Sequence, residues 1–280
     1  MPILNAAHTV DRTGGLRISR LRLAGETLRC ALTADLHLSA DADKMICGVR
    51  PQQLAEQSFA EIADAAPDLT VVAGDLAFSR GRPGDFRACR KALEPVNGPL
   101  AIAPGNHDHR ERLLGVLARE RDPAERVVSV VESDAVNMVV LDSLYRTDVV
   151  PGLLGQEQRG WLAGTLNRLS GKPTVVVVHH PPVDHDNALL DGDRLLAILE
   201  SAPSVHAVFT AHDHVFRLGK QGSLWMVGLP AVGFAFEQAG GKATEPTGWV
   251  EAEFAPRGVA LKLRRSDGRS TRRRSLDWRR

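Results

Sequence analysis

Cysteine is scarce in this chain, and what there is does not pair. Cys30, Cys47 and Cys89 are odd in number and scattered, with no C-x-x-C couple among them. That argues against a disulfide framework and a thiolate zinc site, and it fits a reducing, cytoplasmic compartment. Long apolar runs are missing too: no continuous stretch of about 18 apolar residues exists, so no membrane span is expected. Residues 1–8 lack a basic segment followed by an apolar one, which reads as no secretory signal. No internal repeat or low-complexity linker divides the chain, and no heptad pattern fixes an oligomeric state. The small net charge of +1 hides an asymmetry. Residues 264–280 hold eight Arg against Asp267 and Asp277, so the remainder is net acidic. The Arg-rich tail over 266–280 reads first as a frayed, solubilising terminus. The alternative is contact with nucleic acid or an acidic surface.

What is present is a chain of 280 residues, 43% hydrophobic, which is enough to bury one sizeable core. Residues 1–265 are expected to form a single domain. Residues 17–24 alternate in polarity and read as an edge strand. From residue 28 a strand–helix rhythm begins. Strands are expected over 28–34, 69–73, 99–103, 137–141, 174–178 and 205–210, and helices over 52–65, 84–94, 110–120, 156–168 and 191–200. In the first helix Leu54, Phe59, Ile62 and Ala65 form the apolar stripe, with Pro51 near the start, where a missing N–H costs nothing. Residues 121–135 are charged and irregular, with room for a short strand around Val127 to Val131. After residue 212 the pattern becomes strands and turns, over 224–236, 248–254 and 258–265. This is an α/β pattern that fits two packed sheets better than one doubly wound sheet.

Short polar segments close the hydrophobic runs: Asp35-Leu-His37, Gly74-Asp75, Gly105-Asn106-His107-Asp108, Asp142-Ser143, His179-His180 and His212-Asp-His214. Residues just beyond the carboxyl ends of buried strands project into a shared crevice, so distant segments can meet at one point. Asp35, His37, Asp75, Asn106, His179, His212 and His214 supply carboxylates, imidazoles and one amide. Such a nitrogen and oxygen set suits Zn, Fe or Mn. The set is too large for one tetrahedral ion and suits two if one carboxylate bridges them, with Asp75 the natural bridge. Gly105 before Asn106 allows a sharp backbone turn.

Together these segments resemble the signature of the calcineurin-like metallophosphoesterases, over roughly residues 30–234. The resemblance implies a four-layer α/β/β/α sandwich of two mixed sheets with a dinuclear centre. It implies that Asp35, His37, Asp75 and His214 hold one metal, and that Asp75, Asn106, His179 and His212 hold the other. It places His107 beside the substrate phosphate with Asp108 orienting its imidazole. One departure is Ala211, where the family usually has Gly. Two metals about 3.5–4 Å apart can clamp a phosphoryl group and lower the pKa of a bridging water, giving hydroxide for attack. His107 would then stabilise the developing charge or protonate the leaving group.

Leu141-Asp142-Ser143, Gly155, Gln158-x-x-Trp161-Leu162 and His179-His180-Pro181-Pro182 resemble the cyclic-nucleotide phosphodiesterase and glycerophosphodiesterase branch. Asp191 matches that branch's later Asp, but its downstream Asn is missing between 192 and 204. His180 could line the site, hydrogen-bond a ligand or fill space. Arg110 could meet phosphate or cap a helix, and Asp142 could support the loops. His185, Asp186 and Asp191 lie in the loop where substrate selection is expected. The expected activity is hydrolysis of a small phosphodiester such as a 3',5'-cyclic nucleotide. The alternatives are a phosphomonoesterase, a nucleotide-lipid pyrophosphate hydrolase, and a metal-containing protein that binds phospho-ligands or nucleic acid without turnover.

Overall fold

Val175, Val176, Val177 and Val178 are all fully buried, so the strand that carries them has apolar partners on both faces. In the computed structural model, which describes residues 8–120, 126–183, 186–236 and 246–279, those partners are different layers. Val175 and Val177 join a core between two sheets, while Val176 and Val178 pack against helices. The first sheet contains β1 (His8–Thr13), β2 (Leu16–Arg22), β6 (Arg126–Glu132), β7 (Asn137–Val140), β8 (Thr174–Val177), β9 (Val205–Thr210), β10 (Arg217–Gln221) and β11 (Leu224–Gly228). Its order is β1-β2-β6-β7-β8-β9-β11-β10. The second contains β3 (Leu28–Thr33), β4 (Leu69–Val72), β5 (Leu100–Ile102), β12 (Gly248–Ala255), β13 (Gly258–Arg265) and β14 (Arg274–Asp277), in the order β14-β13-β12-β3-β4-β5.

Helices α1 (Pro51–Ala65) and α2 (Pro83–Ala92), with the short α3 (Arg110–Leu113), cover the second sheet. Helices α4 (Gly155–Arg168) and α5 (Gly192–Glu200) cover the first. Both sheets are mixed, and the layering is the expected α/β/β/α sandwich. Strands β3, β4 and β5 pair in parallel, as do β7, β8 and β9. Their carboxyl ends therefore open on one side of the molecule.

Several elements differ from expectation for identifiable reasons. The buried stripe of α1 is Ala55, Ser58, Phe59 and Ile62; Leu54 is half-buried and Ala65 exposed. The helix expected over 110–120 is α3 followed by a π-helical turn over Leu114–Ala118, which stops where Arg119 takes a left-handed φ of 57°. The short strand around Val127 to Val131 is present as β6, one residue longer at each end. The run 224–236 leaves the sheet after Gly228, and its backbone is tied elsewhere: Val232 N–H donates to Ala34 O and Gly233 N–H to Asp35 O. Strands β1 and β10 are rich in charged or small residues and had no apolar signal.

The tail is no frayed end. Within 266–280, β14 pairs antiparallel with β13, and Leu276 and Trp278 are buried. Trp278 stacks on His206 of β9 with ring centroids 5.5 Å apart and donates its Nε1–H to Ala255 O of β12. Trp225 of β11 donates to Asp277 O. The tail thus fastens one sheet to the other. Some of its arginines are engaged locally, with Arg273 on Glu253 and Arg279 on Asp277. Among the described residues, no helix is long and apolar enough to cross a membrane.

Trp278→Ala is expected to cost about 3 kcal/mol by leaving a cavity. In a chain of this size that lowers Tm by roughly 5–10 °C. Thermal unfolding checks it; a Tm within a degree of the parent would show that the tail does not fasten the sheets.

Candidate metal centre

The strand ends deliver their polar residues to one point. Asp35 and His37 follow β3, Asp75 follows β4, Asn106 follows β5, His179 follows β8, and His212 and His214 follow β9. Asp35, His37, Asp75, Asn106, His179 and His214 are all buried, and His212 is half-buried. Asp35, His37, Asp75, His212 and His214 have left-handed backbones, with φ of 52°, 47°, 50°, 71° and 59°. Such angles cost an L-residue of order 1 kcal/mol each. The strand ladders and loop bonds hold them: Asp35 N–H donates to Gly74 O, and His37 N–H donates to Asp75 O, both at 3.0 Å.

Two glycines are required by close approach. A Cβ on Gly105 would lie 2.2 Å from Asp75 Oδ1, and one on Gly74 would lie 2.2 Å from His179 Nδ1. Gly105 is thus needed for space rather than for a left-handed turn. Ala211, by contrast, fits: its methyl packs into the core between the sheets.

Side-chain geometry converges on two overlapping groups. His37 Nε2 lies 3.2 Å from His214 Nε2 and 3.8 Å from Asp75 Oδ2, and His214 Nε2 lies 3.5 Å from Asp35 Oδ1. On the other side, His179 Nε2 lies 3.5 Å from Asp75 Oδ2 and 3.3 Å from Asn106 Oδ1. His212 packs edge-on against His179, with centroids 5.2 Å apart. The ring orientations are set from behind. His179 Nδ1 bonds Ala73 O at 2.7 Å, and His214 Nδ1 bonds Phe234 O at 2.9 Å. Each Nδ1–H donates to a carbonyl, so each Nε2 is turned toward the carboxylates. Asp35 Oδ1 is buried with no hydrogen-bond partner. Imidazole nitrogens and carboxylate oxygens gathered in one buried space fit cations. The His/Asp clusters Asp35–His37–His214 and Asp35–Asp75–His179 can each take one, which makes a dinuclear centre.

Charge follows the same geometry. Burial draws His37 down to about 3 and His212 to about 4. It acts downward on His179 too, but the Asp75 and Asp35 carboxylates outweigh it and hold that imidazole up at about 9. Burial raises both carboxyls, yet His214 lowers Asp35 and His179 holds Asp75 well below the usual range.

Other residues expected at the site are turned elsewhere. Asp108 accepts from the backbone N–H groups of Leu76, Ala77 and Gly105 at 3.0–3.1 Å, so its carboxylate is directed away from the His107 ring. Asp142 forms a bidentate pair with Arg110 at 2.6 and 2.8 Å and accepts from the Val127 and Leu144 N–H groups. Arg110 is thereby occupied, and it also donates to Leu144 O. Asp191 accepts from Leu154 and Gly155 N–H and pairs with Arg159, fastening the start of α4. His180 has both ring nitrogens engaged, Nδ1 with Ser143 Oγ and Nε2 with Val150 O. These five brace the loops around the centre, and none of them is among the residues lining the cleft. His185 lies outside the described residues.

His107 does face the cleft. Its N–H donates to Asp75 Oδ1 at 2.8 Å, its Nε2 lies 4.0 Å from Asp75 Oδ2, and its Nδ1 lies 3.2 Å from Asp148 Oδ1. Asp148 escaped the sequence reading because it follows no apolar run. The cleft, about 540 Å³, is lined by His37, Asp75, Asn106, His107, His212 and His214 at its base, and by Ile46, Phe78, Val150, Phe234 and Phe236 on its walls. Ser79, Asn187 and Asp213 complete it.

A cation that binds His179 Nε2 must displace the proton held there, and this competition weakens binding by up to about tenfold per pH unit below about 9. Apparent metal affinity is therefore expected to rise from pH 6 to about 9, with release of about one proton from this residue. Calorimetric titration in two buffers of different ionisation enthalpy reads both. A flat affinity across that range would show that the cation displaces no proton from His179.

Comparison with known proteins agrees with this geometry. A model of the calcineurin-like phosphoesterase family matches residues 28–216. The chain is 30% identical over 238 residues to a probable cyclic nucleotide phosphodiesterase from a Synechococcus strain, covering 83% of this chain and 89% of that protein. It is also 30% identical over 175 residues to a glycerophosphodiester phosphodiesterase of Enterobacter lignolyticus, covering 59% of this chain and 62% of that one. A dimetal phosphatase from Danio rerio shares the fold, with a TM-score of 0.70 at 12% identity over 90% of this chain and 99% of its own.

Proposed function

The chain belongs to the calcineurin-like phosphoesterase family, and we propose that it is a metal-dependent phosphodiesterase acting on small molecules, with 3',5'-cyclic nucleotides the first substrates to try. In this reading Asp35, His37, Asp75 and His214 hold one cation. Asp75, Asn106, His179 and His212 hold the other, with Asp75 shared. Bound there, the cations would polarise the phosphoryl group and acidify water. His107 is assigned to the leaving group. Water forms the new P–O bond and gives its proton to solvent, and the bond to the leaving oxygen breaks. That oxygen keeps the electron pair and takes the proton from His107 Nε2.

The observation that carries the diester preference is the cleft itself. Its walls are apolar, and no Lys or Arg is among its described lining residues; the one charged side chain outside the proposed machinery is Asp213. A monoester dianion brings one more negative charge than a diester and finds no Lys or Arg among the described lining residues to offset it. The flat apolar surfaces of Phe78, Phe234 and Phe236 suit an uncharged planar ester group such as a nucleobase. A basic groove, which a nucleotide-lipid would favour, does not line this site among the described residues.

With metal-loaded protein, kcat/KM for bis(p-nitrophenyl) phosphate is expected to exceed that for p-nitrophenyl phosphate by about tenfold or more, a difference of about 1.4 kcal/mol in transition-state stabilisation. A reversed ratio would make the protein a phosphomonoesterase.

His107→Ala is expected to keep its metal, measured by elemental analysis, and to lose about 10²-fold or more in kcat. Full turnover in that variant would remove His107 from the chemistry.

A further inference from the structure

The His107 ring is gripped by a residue that belongs to none of the polar segments at the strand ends. Asp148 lies in the loop between β7 and α4, and its Oδ1 is 3.2 Å from His107 Nδ1. The opposite nitrogen, Nε2, is the one on the Asp75 side, 4.0 Å from Asp75 Oδ2. We propose that Asp148 is the positioning residue for His107, keeping a proton on Nδ1 and aiming Nε2 at the leaving oxygen. This rests on the role given to His107 above.

The loop grips three consecutive residues. Asp148 N–H donates to Asn106 O at 2.7 Å, the Asp148 carboxylate takes the His107 ring, and Thr147 Oγ1 donates to Asp108 O at 2.7 Å. The backbone on both sides of His107 is thereby held by the same dipeptide that holds its side chain. Asp148 is itself held. Its Oδ1 accepts from Arg80 N–H at 2.9 Å, its Oδ2 lies 3.4 Å from Arg80 Nε, and its own φ of 60° is left-handed. A carboxylate anchored this way can set a ring angle within the tolerance that proton delivery needs. Asp108, the neighbour within the Gly105-Asn106-His107-Asp108 run, cannot do this, because three backbone N–H groups already occupy it.

Bracing the Arg80 loop would be a purely structural role for the same carboxylate, so the test must separate the two. Metal-loaded full-length protein is assayed with methyl aryl phosphates whose leaving groups run from p-nitrophenol to phenol. A good leaving group needs little proton delivery and a poor one needs much. Asp148→Ala is expected to lose only a few-fold in kcat with p-nitrophenol as leaving group and about 10²-fold with phenol, with KM and metal content little changed. The Asp148→Ala/His107→Ala double variant is expected to be no slower than His107→Ala alone. Asp148→Asn keeps an oxygen acceptor in the same volume and should recover part of the loss; it carries the test if the alanine variant fails to hold metal. An equal loss for all leaving groups, or full additivity with His107→Ala, overturns the proposal and leaves Asp148 a brace for Arg80. If His107→Ala is itself unimpaired with every leaving group, the failure lies in the role of His107, and the proposal falls with it.

Discussion

Two carboxylates, Asp35 and Asp75, are buried side by side where the strands of two sheets end, and each raises the cost of ionising the other. Two like charges about 4 Å apart at an effective dielectric of 20 repel by about 4 kcal/mol, a large part of the net stability of a domain. The rest of the centre answers that repulsion. His179 and His214 stand against the carboxylates with their Nδ1 protons fixed by Ala73 O and Phe234 O, and Gly74 and Gly105 let the backbones close in. A buried arrangement of this kind holds together only with positive charge at its middle, which is why the donor set and the burial have to be read as one feature.

The centre is also sewn across the molecule. The second sheet contributes Asp35, His37, Asp75 and Asn106, while the first contributes His179, His212 and His214. Distances between these side chains are therefore set by the core between the sheets, from Leu32 and Val71 on one side to Val177 and Phe209 on the other. The tail belongs to the same problem. Trp278, just after β14, reaches His206, near the start of the strand that leads to His212.

What the sequence made legible was where strands end and which side chains wait there. The alternation of apolar runs with Asp, Asn and His pointed to the seven candidate ligands and the two-sheet architecture, because an apolar run and the polar residues that close it are both local features of the sequence. What it could not convey was direction. Asp142, Asp191 and His180 stand at equivalent strand or loop ends, yet each is turned inward by a partner distant in sequence: Arg110, Arg159 and Val150 respectively. Asp108 and Asp148 show the same limit from both sides. The residue next to His107 is committed to backbone, and the one that reaches its ring comes from another loop. Strand β14 was hidden because the arginines around it look like a solvated run, and only its pairing with β13 and the burial of Leu276 and Trp278 reveal it.

The left-handed backbone at Asp35, His37, Asp75, His212 and His214 limits how the centre could ever be rebuilt. Among residues with a side chain, Asn, Asp and His enter that region most readily, whereas β-branched and bulky side chains resist it. These are also side chains with hard or borderline oxygen and nitrogen donors. Exchanging an aspartate for a longer glutamate, or an imidazole for a thiolate, would therefore change conformational preference along with donor chemistry. A programme to retune this protein for a softer metal would meet its first resistance in the main chain.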